Sequence, residues 1–462
     1  MYFNLNSIKI NSKKVQNFDL FVPIIGNNFD GHDFIKSAFQ NGALAVLCDE
    51  SKIFSIKEQI SKKNIIIIVE NTQNALQEIA GFYRKKFNIP IVGITGSVGK
   101  STVKQMLASV MSFHFSGTPN SDCVLCTKGN LNGQLGVPLT LLDINSKTKF
   151  AIIEMGVSLP GEMHKLNKIV DPNFAIITNI GVSHLANFNK IENTCSEKLE
   201  IINKDKFNKI FINSDNQILL NMTKKCIKNE EKIVYFGLNN NSLFKIENLN
   251  FCNNKTEFDL ISPEFCAKFT IPCAGEHNII NSLAVVAFSL KYNVKIINII
   301  KGIQNFKNLP MRQEISEIHN IFIINDSYNA SPDSMKSSLK TLENMKISGE
   351  KIAVIADMQE LGEKSNEIHE EIGEFLSKMN INIVITIGVL SGFIAKILQQ
   401  KKIIKLHACD NTNDAFEILK KITKKFIKNV KCDQHAILFK GSRAAKLEIL
   451  VENLEKYLKK YD

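Results

Sequence analysis

One stretch of this chain limits its fold more than any other. Gly93-Ile94-Thr95-Gly96-Ser97-Val98-Gly99-Lys100-Ser101-Thr102 follows an apolar run at 91–94 and opens a helical pattern that reaches to about residue 113. Glycines here let the backbone turn so that successive N–H groups face a polyphosphate, and the helix N-terminus behind them adds its positive dipole. Lys100 is placed to reach the terminal phosphates and Ser101 to offer a hydroxyl to Mg²⁺, so ATP with Mg²⁺ is the expected ligand. The nucleotide-binding set read from the loop is Gly96, Ser97, Gly99, Lys100, Ser101 and Thr102. Its spacing departs from GxxxxGK[ST], because Ile94 stands where that pattern has its first glycine. A strand that feeds such a loop and helix is a βα unit, and βα units in series require a parallel sheet covered on both faces.

Strand-like runs alternate with helix-length segments on both sides of this unit, in three blocks. Residues 1–88 carry strand signals at 19–23, 43–48 and 65–69 and a helical one at 72–87, which reads as a small α/β domain. The Lys-rich helix end at 84–86 and Pro90 mark a boundary. Residues 89–312 add buried-strand signals at 151–154, 175–178 and 209–213, then short alternating strands between 244 and 270 and a helix at 277–292. That block reads as a doubly wound parallel sheet with a small antiparallel patch. In 313–462 the alternation restarts, with strands at 321–325, 351–356, 383–387, 405–408 and 435–439, as a separate Rossmann-like domain. The fold class is α/β in three domains.

Composition closes off other classes. A length of 462 residues suits about three domains, and 44% hydrophobic with 22% charged residues is the balance of an ordinary globular chain. No apolar run approaches the roughly 18 residues of a membrane helix, so no membrane insertion is expected. The first residues interleave Asn and Lys with apolar positions, which predicts a cytoplasmic protein without a targeting segment. Of ten cysteines only Cys123 and Cys126 form a CxxC, with no second pair to complete a zinc site, so reduced structural thiols are expected. The net charge of +11 reflects Lys spread over the whole chain, and no basic cluster interleaved with aromatics points to nucleic acid. Glu154 and His184 fall at or just past strand ends, where ligands of open α/β sheets gather. A carboxylate suits Mg²⁺; a histidine there is more often a hydrogen-bonding residue.

Several strings taken together resemble the Mur ligases, the ATP-dependent amide-forming enzymes of peptidoglycan precursor synthesis, over essentially the whole chain. They are the phosphate loop, Ile153-Glu154-Met155-Gly156, Thr178-Asn179-Ile180-Gly181 with His184, and Gly275-x-His277-Asn278-x-x-Asn281. Lys128-Gly129-Asn130-Leu131-Asn132, the string from Asp326 to Ser334, Asp357-Met358-x-Glu360-Leu361-Gly362 and Lys440-Gly441-Ser442-Arg443 look like the branch that adds D-alanyl-D-alanine to UDP-N-acetylmuramoyl-tripeptide. The Asp-Asn-Pro-Arg signature of the diaminopimelate- and lysine-adding branch is missing, Asp410-Asn411-Thr412-Asn413 being the nearest string.

The resemblance implies an ATP-dependent carboxylate–amine ligase working through an acyl phosphate, monomeric, with those two substrates as its partners. It implies Lys100, His184, Lys198 and Arg312 as catalytic residues. Ser101 and Glu154 would hold one Mg²⁺, with His184 and a carbamylated Lys198 serving a second. Asn278 and Asp326 would lie near adenine and ribose, and Arg312 on the γ-phosphate. The first domain resembles the family's uridine-binding domain through residues 11–14 and 26–34. Substrate contacts would come from Ser12, Asp30, Thr127, Asn132, Asn329, Asp357 and Glu360, the alternative for Asp357 and Glu360 being that they cap the next helix. Met311 stands where a glycine is common, and Ser12-Lys13 where Asp or Thr precedes an Arg. Two other readings stay open: another ligase of the superfamily, such as a folylpolyglutamate synthase, and a P-loop protein that binds nucleotide as a switch.

Overall fold

The computed structural model describes residues 5–26, 28–57, 60–61, 63–202, 208–239, 242–401, 405–428 and 433–461. Asn27 of the first-domain string lies outside them. Four sheets organise the chain. The first takes β1 (Ile8–Lys9), β2 (Leu20–Phe21), β3 (Ala45–Asp49) and β4 (Ile65–Val69) in sequential parallel order. Every residue of β3 is buried, as a central parallel strand must be. The helix Thr72–Arg84 covers one face and ties this domain to the next: Gln77 donates to the Gln134 side chain at 3.0 Å, and Arg84 to the Val170 carbonyl at 2.9 Å.

The central sheet is all parallel. It takes β5 (Ile91–Thr95), β6 (Val124–Cys126), β7 (Phe150–Glu154), β8 (Phe174–Ile177), β9 (Lys209–Asn213) and β10 (Ile233–Phe236) in the order β10-β9-β8-β5-β7-β6. The chain leaves β5 toward one side for β6 and β7 and later returns to the other side for β8, so a topological switch point opens at the carboxyl end of β5. The phosphate loop sits at that point. Its helix, Lys100–Ser116, buries Val103, Met106, Leu107 and Val110 on the sheet. An antiparallel patch follows, formed by β11 (Lys245–Phe251), β12 (Thr256–Ile261) and β13 (Cys266–Ile271); the strict alternation of buried and half-buried residues along β12 marks a sheet with one covered face. The helix Glu276–Lys291 packs beneath.

The third sheet runs β14-β15-β19-β16-β17-β18, with β14 (Glu314–Ile318), β15 (Ile321–Asp326), β16 (Lys351–Ala356), β17 (Ile383–Ile387), β18 (Lys405–Cys409) and β19 (His435–Lys440). It is parallel except for β14, an edge strand turned back antiparallel on β15. β14, β10, β6 and β1 are not among the strands expected from the sequence: β14 alternates Glu and Ser with Ile along a half-covered edge, and β10, β6 and β1 are short. Met311 and Gln313, at the entry to this domain, have φ of +61° and +52°, the left-handed region where glycine is at ease. Among the described residues every cysteine is free, and no helix is long and apolar enough to cross a membrane.

Candidate active site between the central and third domains

The loop after β5 turns on two glycines. Gly96 has φ +147° and Gly99 φ +86°, and a Cβ would lie 2.0 Å from Thr178 Oγ1 at the first and 2.5 Å from Asn281 Oδ1 at the second. Only glycine fits a loop drawn this close to its neighbours. The neighbours also lock it in place: Val98 N–H donates to Asn179 Oδ1 at 2.8 Å, and Thr178 Oγ1 donates to the Val98 carbonyl at 2.5 Å. Lys100 Nζ curls back onto the Gly96 and Ser97 carbonyls at 2.6 and 3.2 Å.

This loop forms one wall of a cavity of about 660 Å³ whose opposite wall is the third domain. Ser101 Oγ and Asn132 Nδ2 donate to Glu154 Oε1 at 3.1 and 2.7 Å, while Lys104 Nζ lies 3.0 Å from Glu154 Oε2. Burial alone would raise the Glu154 carboxyl, but Lys104 and Lys100, with Asn132, hold it below the usual range and ionised. Oε2 is buried and spoken for by the Lys104 ammonium. An ionised carboxylate beside a serine hydroxyl is a hard-donor pair fit for Mg²⁺. Among the described residues no group of three or more His, Cys, Asp or Glu could hold a metal by itself, so phosphate oxygens and water would have to complete the shell.

Cations crowd the same space. Burial, and then the Arg312 charge, pull the Lys100 ammonium down despite Glu154. Lys198, fully buried, is brought to about 7, by desolvation first and by Lys100 next. Arg312 stacks on the Tyr328 ring at 4.1 Å, and its Nε is buried with no acceptor. A cavity with this excess of positive charge and a spare guanidinium N–H is built for a polyphosphate.

The residues expected near the nucleoside line the same cavity, Asn278 from the central domain and Asp326 from the third. Asn278 Nδ2 donates to the Ala274 carbonyl at 2.7 Å and to Gln313 Oε1 at 3.0 Å. Asp326 is pinned by Lys440 at 2.8 Å, Ser338 Oγ at 2.5 Å and the Gln313 N–H at 3.2 Å. Beside them His277 is kept neutral at about 4, by burial first and with Lys440 nearby. The third domain docks through the segment after β8. His184, at φ +53°, meets Glu360 Oε2 with its Nδ1 at 2.5 Å, and the Val182 N–H donates to Asp333 Oδ2 at 3.2 Å. Burial pulls the His184 ring down against the pull of Glu360, and Lys198 and Lys100 push the same way as burial.

The expected site residues therefore divide. The cavity lining brings together Ser97, Gly99, Lys100, Ser101, Thr102, Asn132, Glu154, His184, Asn278, Arg312, Asp326, Asn329 and Glu360. Gly96 and Lys198 are not part of the lining; Gly96 belongs to the loop itself, and Lys198 is close enough for its charge to act on Lys100 and His184. Four others are elsewhere. The Thr127 hydroxyl is spent on β7, accepting from the Glu154 N–H at 2.9 Å. Asp357 Oδ1 accepts from the Ser391 N–H at 2.7 Å, at the start of the helix Ser391–Lys401. Asp357 thus caps a later helix and not the next one, while the Glu360 carboxylate lies on His184. Ser12 is buried in a short helical turn of the first domain. Asp30 caps the turn Gly31–Phe34, meets His32 at 2.6 Å and Lys52 at 2.8 Å, and is drawn down to about 2: burial opposes the shift, and Lys52 and His32 outweigh it. Sequence reasoning gave no role to Lys104, Tyr328 or Lys440. The signal for Lys104 was a lysine among apolar neighbours on the buried face of a helix.

Three family descriptions match the chain: "Mur ligase family, catalytic domain" over residues 4–84, "Mur ligase middle domain" over 94–289 and "Mur ligase, glutamate ligase domain" over 311–443. The UDP-N-acetylmuramoyl-tripeptide–D-alanyl-D-alanine ligase of Buchnera aphidicola subsp. Baizongia pistaciae is 36% identical over 98% of this chain and 93% of its own. Among solved structures, MurF from Acinetobacter baumannii superposes with a TM-score of 0.85 at 25% identity, covering 98% of this chain and 94% of that one. The MurF ligase of Thermotoga maritima, solved in complex with ADP, gives 0.81 at 28% identity over 99% and 98%. With a 36% identical relative spanning nearly all of both chains, the protein belongs to the Mur ligase family.

Proposed function

We propose that the chain joins D-alanyl-D-alanine to UDP-N-acetylmuramoyl-tripeptide at the expense of ATP, in the cytoplasm. The observation that carries this reading is similarity to ligases of that name over the third domain as well as the first two, since acceptor choice belongs to the third. The tripeptide's terminal carboxylate attacks the γ-phosphorus, ADP leaves, and the dipeptide amine attacks the acyl carbon of the resulting acyl phosphate. Phosphate departs with the bonding electrons and the nitrogen loses a proton. Chemistry of this kind depends on alignment and charge neutralisation. Lys100 from the phosphate loop and Arg312 from the junction with the third domain bind the phosphates, and Asn278 and Asp326 take the nucleoside. Ser101 and Glu154 would hold Mg²⁺ on the phosphates, with His184 and Lys198 as candidates for a second ion; bound there, the metal neutralises developing charge. Closure of the third domain over the loop excludes water from the acyl phosphate.

A coupled phosphate-release assay tests the reading. Release is expected only with ATP, the muramoyl tripeptide and D-alanyl-D-alanine all present; release that ignores the dipeptide, or that follows a folate or a single amino acid instead, overturns it. Within the same assay Glu360 and Asp357 should part company. Glu360→Gln is expected to raise KM for the dipeptide about tenfold with KM for ATP unchanged, because its carboxylate faces the cavity. Asp357→Ala should keep both constants and lose about 1 kcal/mol of stability, the cost of a helix cap, read as a lower melting temperature.

A further inference from the structure

The reading above leaves Lys104 without a task, although few charges in the chain are more deeply buried. It stands one helical turn beyond Lys100 on the same face of the phosphate-loop helix, its side chain fully out of water. An ammonium is retained in such a place only where oxygens replace its hydration. Two do so. Glu154 Oε2 lies 3.0 Å away and the Gly129 carbonyl accepts from Nζ at 2.9 Å.

These oxygens belong to different parts of the site. Glu154 closes β7, whereas Gly129 lies in the loop at 127–135 that leads from β6 to the helix Gly136–Leu142. That loop reaches the same carboxylate by a second route, Asn132 Nδ2 donating to Oε1 at 2.7 Å, and the Gly156 N–H donates to the Asn132 carbonyl at 2.8 Å. The result is a closed ring of Lys104, Gly129, Asn132 and Glu154. Asn130, Asn132 and Gly133 line the cavity on this side. With Ser101 and Asn132 both on Oε1 and Lys104 on Oε2, the ammonium fixes the turn of the carboxylate about its own axis and with it the way the group faces the cavity.

We propose that Lys104 is a positioning residue for ligation: one ammonium holds both the carboxylate that receives the metal and the loop at 128–133 that meets the muramoyl substrate, so that the two are set together. The assignment rests on the proposed function. Lys104 touches no reacting atom and acts through Glu154 and the loop. A buried ion pair without this task would affect stability alone.

Lys104→Met keeps the unbranched apolar stem of the side chain, one atom shorter, and removes its charge. Three measurements read it: Mn²⁺ affinity of the ADP complex by electron paramagnetic resonance, hydrogen exchange of the Leu131 and Asn132 amides in the nucleotide-free protein, and KM values at saturating Mg²⁺. Those two amides donate to the Lys128 and Asn130 carbonyls inside the loop and report its order. Expected are Mn²⁺ binding weakened tenfold or more, loop exchange at least tenfold faster, and KM for the tripeptide raised fivefold or more with KM for ATP within twofold. A variant that melts earlier but keeps Mn²⁺ affinity, exchange and tripeptide KM within twofold of wild type overturns the proposal. So does a change confined to the metal or to the loop, because the coupling is what is claimed. Should Lys104→Met not fold, Lys104→Gln, which retains an N–H donor, is held to the same limits. The Mn²⁺ and exchange readings need no muramoyl substrate, so failure of the proposed function would show separately, as absent turnover in the wild type.

Discussion

Lys100→Ala is expected to lower kcat for ligation by about a thousandfold, the usual cost of deleting a cation or donor aimed at transition-state charge, while shifting the melting temperature by no more than a few degrees. The asymmetry follows from what Lys100 touches. Its ammonium meets only the Gly96 and Ser97 carbonyls of its own loop, and it takes no part in the apolar core beneath the helix. Removing it takes away a buried cation whose desolvation already disfavours its protonated form, with Arg312 adding to that against Glu154. KM for the dipeptide should hold, since the acceptor comes from the other wall. Turnover within a few-fold of wild type would remove the phosphate site from this loop.

Lys198→Ala should be nearly as damaging, and here rescue is the informative reading. A free ammonium would repel Mg²⁺, whereas a lysine carbamate offers carboxylate oxygens; forming one requires the neutral amine to attack CO₂ and shed a proton. With its value near 7, Lys198 is about half neutral at pH 7, against well under a thousandth of an ordinary lysine. Enzyme stripped of CO₂ is therefore expected to lose activity and to recover on adding bicarbonate, faster at pH 8 than at pH 6. The alanine variant should recover partly with millimolar acetate or formate. Full activity of the stripped wild type overturns the carbamate. The unmodified lysine carries a stability signature as well. Between about 7 and its ordinary 10.5 the unfolded chain holds a proton that the folded chain does not, so stability of the stripped enzyme rises with pH across that window.

The sequence made the phosphate loop and the parallel strands legible because both are local: a glycine spacing, and runs of Ile, Val and Phe that only a strand covered on both faces can use. Met311 is a finer case. Its place where a glycine is common pointed to unusual backbone, and the residue is left-handed. Legibility ended where a side chain's partner lies far along the chain. Whether Asp357 or Glu360 faced the cavity depended on Ser391 and His184, and no local pattern carries that. Thr127 stands beside a loop that lines the site, yet its hydroxyl turns toward β7 by the pairing of two strands.

The apolar clusters have a consequence for calorimetry. The main sheet of each domain closes a core on its own two faces, the antiparallel patch joining that of the central domain. Among the described residues few side chains cross between them: Leu135, Leu139 and Leu142 reach into the first domain, Ala80 and Tyr83 from the first into the central, and Val182 and Leu185 into the third. Cores so separated do not share one cooperative transition. Heating should give overlapping endotherms whose van't Hoff enthalpies fall short of the calorimetric total. The first domain, with the smallest core, would be the earliest to go. A nucleotide bridging the phosphate loop and the third domain would then draw the later two transitions together and leave the first where it was.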